Sequence, residues 1–115
     1  MDMITIWHNP RCSKSRQALA LLEARGDEVA VRRYLDDAPD TDQIRAALAT
    51  LDIPAIALVR RGEKAWKESG LTTDSAEDDI IAAMAAHPIL IERPVVFANA
   101  RAVIARPPEK VAEIL

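Results

Sequence analysis

Cys12 is the only cysteine in a chain of 115 residues. That excludes an internal disulfide and a cysteine-rich zinc site, so any disulfide Cys12 forms must join it to another molecule. Histidine is almost as scarce: His8 and His87 lie far apart in sequence, and no metal or bound cofactor is expected from them. An excess of positive charge is missing too. With a formal net charge of -3, neither a nucleic acid nor a membrane surface is an expected partner, although local basic clusters can still hold a small oxyanion. No apolar run approaches the roughly 18 residues of a membrane span, and Met1-Asp2-Met3 carries no basic leader signal, so a cytoplasmic location is expected. Linkers, repeats and low-complexity tracts are also absent. Half of the residues are hydrophobic (50%), which fits one domain over residues 1–115 with a single core.

What is present centres on His8-Asn9-Pro10-Arg11-Cys12-Ser13-Lys14-Ser15-Arg16. Met3, Ile4 and Ile6 form a short apolar run of strand length, and Pro10 stops it. Ser15 to Arg25 contains good helix formers with Leu19 and Leu22 one turn apart, and Gly26 is a stop signal. Cys12 is therefore expected at or just before a helix N-terminus, where unpaired N–H groups favour an anion such as a thiolate. Arg11, Lys14 and Arg16 add positive charge, and no acidic residue intervenes between His8 and Arg16. Thiols in such surroundings titrate at about 3.5–7.5 rather than about 8.5. The plainer reading of a lone cysteine is a small buried hydrophobe, but a loop-tip cysteine among cations is badly placed to fill a core.

Val29 to Leu35 mixes β-branched and aromatic residues with arginines and reads as a second strand, giving a parallel strand–helix–strand unit. Ligands of open α/β sheets bind beyond the carboxyl ends of the strands, the edge that His8 to Cys12 occupies. Asp40 and Gln43 form a capping box for a helix carrying Ile44, Leu48 and Leu51. A short helix is expected over 55–61, then a charged loop in which Trp66 is a packing residue. Ser75 and Asp78 are N-terminal signals for a helix through Ile80, Ile81 and Met84 that stops at His87-Pro88. Glu77-Asp78-Asp79 reads as its solvated first turn. Val95 to Phe97 and Val103-Ile104 form a hairpin, whose Asn99-Ala100 connection suits a longer loop better than a two-residue turn. Pro107-Pro108 opens a final helix over 109–115. The order is that of an α/β, thioredoxin/glutaredoxin-like four-stranded mixed sheet with a helical insertion at about 40–87.

Arg60, Arg93 and Arg106 each stand at an expected element boundary, where a side chain can project into an edge cleft. Their planar forks of donors match tetrahedral oxyanions. Surface solvation is the default for any one of the 15 basic residues.

Over essentially its full length the chain resembles the glutaredoxin-linked arsenate reductase family, in its short, arsenate reductase-like branch. The resemblance rests on His8 to Arg16, on Val59-Arg60, on His87-Pro88-Ile89-Leu90-Ile91-Glu92-Arg93-Pro94-Val95-Val96, and on Arg106-Pro107-Pro108-Glu109-Lys110-Val111 with Glu113-Ile114-Leu115. It implies a thioredoxin-like fold with Cys12 as the nucleophile and arsenate or a similar oxyanion on Arg60, Arg93 and Arg106. It also implies a cis peptide bond before Pro94. His8, Ser15 and Arg16 take the place of thiolate-supporting residues. Glutathione is implied as co-substrate and glutaredoxin as partner, because Cys12-Ser13-Lys14-Ser15 offers no second cysteine to resolve an intermediate.

A phosphatase-like arsenate reductase needs arginine six residues after the cysteine, and Ala18 stands there. A thiol transferase acting on glutathione mixed disulfides would use the same fold and nucleophile. An Spx-like regulator of RNA polymerase would carry a second cysteine where Ser15 stands. An inactive family member is the least specific alternative.

Overall fold

A computed structural model of the chain describes residues 3–115. Met1 and Asp2, the first residues of the start in which no leader signal is read, lie outside them. The chain divides into two compact units: one joins the segment through Asp37 to Arg93–Leu115, and the other is Ala38–Glu92.

The first unit is built on a four-stranded mixed sheet. Strands β1 (Ile4–Trp7), β2 (Val29–Arg32), β3 (Val95–Ala98) and β4 (Arg101–Ile104) lie in the order β2-β1-β3-β4. β1 runs parallel to β2 in the register Ile4↔Val29 to Trp7↔Arg32, and antiparallel to β3 with Trp7 opposite Val95. β3 and β4 form the hairpin, with Val95 opposite Ile104. Alternation of side chains sends Ile4, Ile6, Val96 and Ala98 to one face, where they pack with Ala18 and Leu22 of helix α1 (Ser13–Ala24) and with Val111 and Ile114. Leu22 is fully buried, a burial that contributes about 1.5–3 kcal/mol. On the other face the Trp7 and Phe97 rings lie 5.2 Å apart at 56°, and the Arg32 guanidinium sits 5.8 Å from the Trp7 ring centre.

The second strand ends at Arg32, short of the expected Leu35, and two expectations for the C-terminal part of this unit also need correction. The hairpin turns on two residues rather than a longer loop: Ala98 pairs with Arg101, and Asn99 and Ala100 take φ of 55° and 61°. Both positions are left-handed, as a two-residue turn that matches strand twist requires. Asn tolerates that region and Ala does not, at a cost of about 1–2 kcal/mol. Asn99 Nδ2 offsets part of it by donating to the Ile114 carbonyl at 2.9 Å. The final segment, Pro108–Glu113, is a 3-10 helix rather than an α-helix. Its bonds, such as Lys110 N–H to Pro107 O at 3.0 Å and Ile114 N–H to Val111 O at 3.2 Å, span three residues. With three residues per turn, Val111 and Ile114 fall on the same face and both reach the core.

In the second unit the Asp40–Gln43 capping box forms as read: each side chain accepts from the other residue's backbone N–H, at 2.8 and 3.1 Å, and opens helix α2 (Thr41–Leu51). Helix α2 packs against α5 (Glu77–Ala86), burying Ile44, Ala47 and Leu48 on one and Ile80, Ile81 and Met84 on the other. Helix α3 (Ala55–Leu58) ends before the expected Arg61, because Val59 pairs with Ile91 in an isolated antiparallel bridge. Trp66 is buried, as expected of a packing residue, but in a helix, α4 (Lys64–Ser69), and not a loop. Ser75 does not cap α5, since its hydroxyl is taken by the Thr72 N–H at 2.8 Å and the N-cap is Ala76. Glu77 is more than a solvated first-turn acid: its carboxylate accepts from the Ala55 N–H at the start of α3. No helix among the described residues is long and apolar enough to cross a membrane.

Candidate active site

The segment between β1 and α1 is held by its own polar groups. His8 N–H continues the parallel pairing by donating to the Arg32 carbonyl at 2.8 Å. Asn9 then makes three bonds: its N–H donates to Ser15 Oγ at 3.0 Å, its Oδ1 accepts from Arg11 N–H at 2.9 Å, and its carbonyl accepts from Cys12 N–H at 3.0 Å. His8 Nδ1 lies 2.7 Å from the same Ser15 hydroxyl. His8, Asn9 and Ser15 are all buried, so the bonds that join these three act without competition from water. Arg16, exposed, donates from Nη1 to the Pro10 carbonyl at 2.9 Å and ties the first turn of α1 back to the loop.

The outcome is the placement of Cys12. It is the N-cap of α1, with extended backbone (φ −94°, ψ 122°), and its side chain is half-buried. Burial pushes the thiol up. The Ser15 N–H, a hydrogen bond from the Arg93 side chain, the Lys14 N–H and the Arg93 charge outweigh that and hold it below the ordinary thiol value. His8 is also held below its ordinary value, first by burial and then by the charges of Arg33 and Arg16, with Glu23 opposing weakly. It is therefore a neutral imidazole at neutral pH.

The sheet brings two arginines to the same place. The end of β1 pairs with the start of β3, and the start of β3 pairs with the end of β4. The residues just before β3 and just after β4 are thus neighbours at the edge where β1 runs into the Cys12 loop. Ala105 N–H donates to the Pro94 carbonyl at 3.0 Å, extending the hairpin. Arg106 Nη1 donates to the Arg93 carbonyl at 3.0 Å and lies 3.8 Å from Cys12 Sγ. Arg93–Pro94 is a cis peptide bond, as the resemblance implies, and Arg106–Pro107 is a second that it does not.

Arg60 belongs to the second unit, just after α3. It donates from Nε to Glu63 Oε1 at 3.1 Å and from Nη1 to Glu92 Oε1 at 3.0 Å. Burial lowers its pKa, but the two carboxylates outweigh that and raise it above the ordinary value. Its backbone is fixed by donation to the Leu90 carbonyl at 2.7 Å. No group of three or more His, Cys, Asp or Glu side chains able to hold a metal occurs among the described residues.

The structure therefore gathers Cys12, His8, Ser15, Arg16, Arg93 and Arg106 in one unit. Asn9 lies inside the stretch His8 to Arg16 that the sequence singles out, but no role is read for it there. The signal for its bonding is a weak one, the Asn-Pro pair that favours a turn.

The sequence model of the ArsC family matches residues 7–114, which spans the Cys12 loop and all three arginines. The chain belongs to the ArsC family. It is 42% identical to an arsenate reductase of Neisseria meningitidis serogroup A over 117 residues, covering 100% of both chains. It is 45% identical to an uncharacterized Escherichia coli K12 protein, YfgD, covering 97% of this chain and 96% of that one. Among solved structures, an arsenate reductase from Vibrio cholerae superposes with a TM-score of 0.95 at 42% identity, covering 99% of this chain and 98% of the other. The fold is the thioredoxin-like fold of this family.

Proposed function

We propose that this ArsC protein reduces arsenate to arsenite through Cys12, with glutathione and glutaredoxin supplying the electrons. The observation that carries the reading is a half-buried thiol with a lowered pKa at the N-cap of α1, hydrogen-bonded by Arg93 and 3.8 Å from Arg106 Nη1. Guanidinium groups let a negatively charged nucleophile and a negatively charged oxyanion approach each other, since they offset the repulsion and present donors to tetrahedral oxygens. The sequence resemblance assigns the same oxyanion role to Arg60, whose surroundings within its own unit are the carboxylates of Glu63 and Glu92.

In the proposed reaction the Cys12 thiolate attacks arsenic, an S–As bond forms and an arsenate oxygen leaves as water after protonation. Glutathione thiolate then attacks Cys12 Sγ. The S–S bond forms, the S–As electron pair passes to arsenic, and pentavalent arsenic becomes trivalent. Glutaredoxin thiolate attacks the mixed disulfide and returns Cys12 to the thiolate. His8, Ser15 and Arg16 support the thiolate by holding its loop. Since His8 is neutral, the charge that favours the thiolate comes from arginine and the helix N-terminus.

The test is a glutathione- and glutaredoxin-coupled assay on arsenate. Wild type should turn over, Cys12→Ser should be inactive while still unfolding in a cooperative transition, and Arg93→Ala should mainly weaken use of the oxyanion. Turnover by Cys12→Ser at the wild-type rate removes the nucleophile assignment. Activity on a glutathionylated substrate with none on arsenate replaces the reading by thiol transfer.

A further inference from the structure

Arg93 and Arg106 face the sulfur from the sheet, but a second set of cations lies on the loop and helix that carry it. Arg11 and Lys14 are exposed and flank Cys12 within two residues, and Arg16 follows one turn into α1. Elsewhere, Arg25, Arg32, Arg45, Arg60 and Lys64 each face a carboxylate, while Arg33, Arg61, Lys67, Arg101 and Lys110 form no ion pair among the described residues. Among the described residues, no carboxylate pairs with Arg11, Lys14 or Arg16. No acidic residue occurs from His8 until Glu23. A chain of net charge -3 thus keeps an unneutralised basic collar around its only thiol, outside the pair of arginines that approach the sulfur.

We propose that this collar selects the charge of the second thiol, so that Cys12 exchanges preferentially with small anionic thiols and disulfides. Glutathione, with two carboxylates and one ammonium, is of this class. The inference rests on Cys12 being the nucleophile of the proposed function. Its physical basis is separate from the oxyanion site. An incoming thiolate must approach a centre that is itself anionic, and exposed cations beside the path raise the local concentration of anions and lower that barrier. The exchange is balanced without any other reactant: Cys12 thiolate attacks one sulfur of a disulfide, a mixed disulfide forms, and the other half leaves as its thiolate.

The test uses the reduced full chain, a dianionic aromatic disulfide (dithiobis-nitrobenzoate) and a neutral one (dithiodipyridine). Rates are read from the released chromophore and normalised to a small uncharged thiol. Wild type should favour the dianionic reagent at low salt. Arg11→Gln/Lys14→Gln should reduce that preference about tenfold, as should raising the salt, because screening shortens the reach of exposed charges. Arg11→Glu/Lys14→Glu should reverse it. Arg101→Gln, at the opposite end of β4 from Arg106, should leave it unchanged. An unaltered preference in both double variants overturns the proposal. So does a parallel fall with both reagents, which marks an effect on thiolate ionisation alone. Arsenate is not used, so failure to reduce arsenate and failure to discriminate charge are distinguishable results.

Discussion

Replacing Ser15 by alanine probes whether the Cys12 loop is held as the geometry indicates. The hydroxyl is fully buried and serves two buried groups, accepting from Asn9 N–H at 3.0 Å and bonding His8 Nδ1 at 2.7 Å. The substitution leaves both without a partner. A buried group left unsatisfied costs about 1–3 kcal/mol, and two give about 2–6 kcal/mol. Alanine is the better helix former at this position in the first turn of α1, which returns up to about 0.5 kcal/mol. The expected loss is therefore about 1.5–6 kcal/mol, large against the total stability of about 5–15 kcal/mol typical of a domain. Urea unfolding at neutral pH measures it as a drop in midpoint at constant slope. Ser13→Ala, at an exposed position in the same turn, is the control and should stay within about 0.5 kcal/mol of wild type. If Ser15→Ala also stayed within that margin, the hydroxyl would not be holding the loop.

Other expectations follow from the same geometry. The rate of Cys12 alkylation should reach half its plateau below the ordinary thiol value of about 8.5, and a midpoint at that value would show the thiol is not activated. Because the folded-state pKa is lowered, stability relative to Cys12→Ser should rise as pH increases from the lowered value towards about 8.5 and hold constant above it. His8 should resist protonation: its ring proton resonances should not titrate near 6.5, and stability relative to His8→Gln should fall as pH drops below about 6.5, where the unfolded chain binds a proton that the folded one does not. Asn9→Ala removes the acceptor for Arg11 N–H and should disorder the loop and slow alkylation. Asn9→Asp keeps the acceptor but adds a negative charge, so it should retain the loop and raise the alkylation midpoint. Equal midpoints for the two variants would remove Asn9 from the positioning of the thiol.

Much of this was legible because local chemistry controls it. Strand residues stopped by Pro10, a run of helix formers after it, and the Asp40–Gln43 box depend on neighbours within a turn or two. The N-cap placement of Cys12 follows from the same rules, although α1 begins at Ser13 rather than Ser15. Trp66 could be recognised as a packing residue without its helix, since burial follows from its size and apolarity more than from its local backbone. The misreadings fall where a distant partner decided the matter. Val59 leaves α3 for a bridge to Ile91, Glu77 caps a helix 22 residues upstream, and the turn at Ala100 stands beside Asn99, whose side chain bonds the Ile114 carbonyl.

Sequence alone determined which atom is the candidate nucleophile and what surrounds it along the chain: a single thiol, at a helix start, among bases, because spacing and residue type within about ten positions set those features. Tertiary structure decided which remote groups face it. Arg106 lies 94 residues from Cys12 in sequence yet has Nη1 3.8 Å from its sulfur, and only the pairing of β1 with β3 and of β3 with β4 puts it there. Strand register is a property of the whole sheet, settled by which faces are buried, and no local pattern encodes the contact it creates.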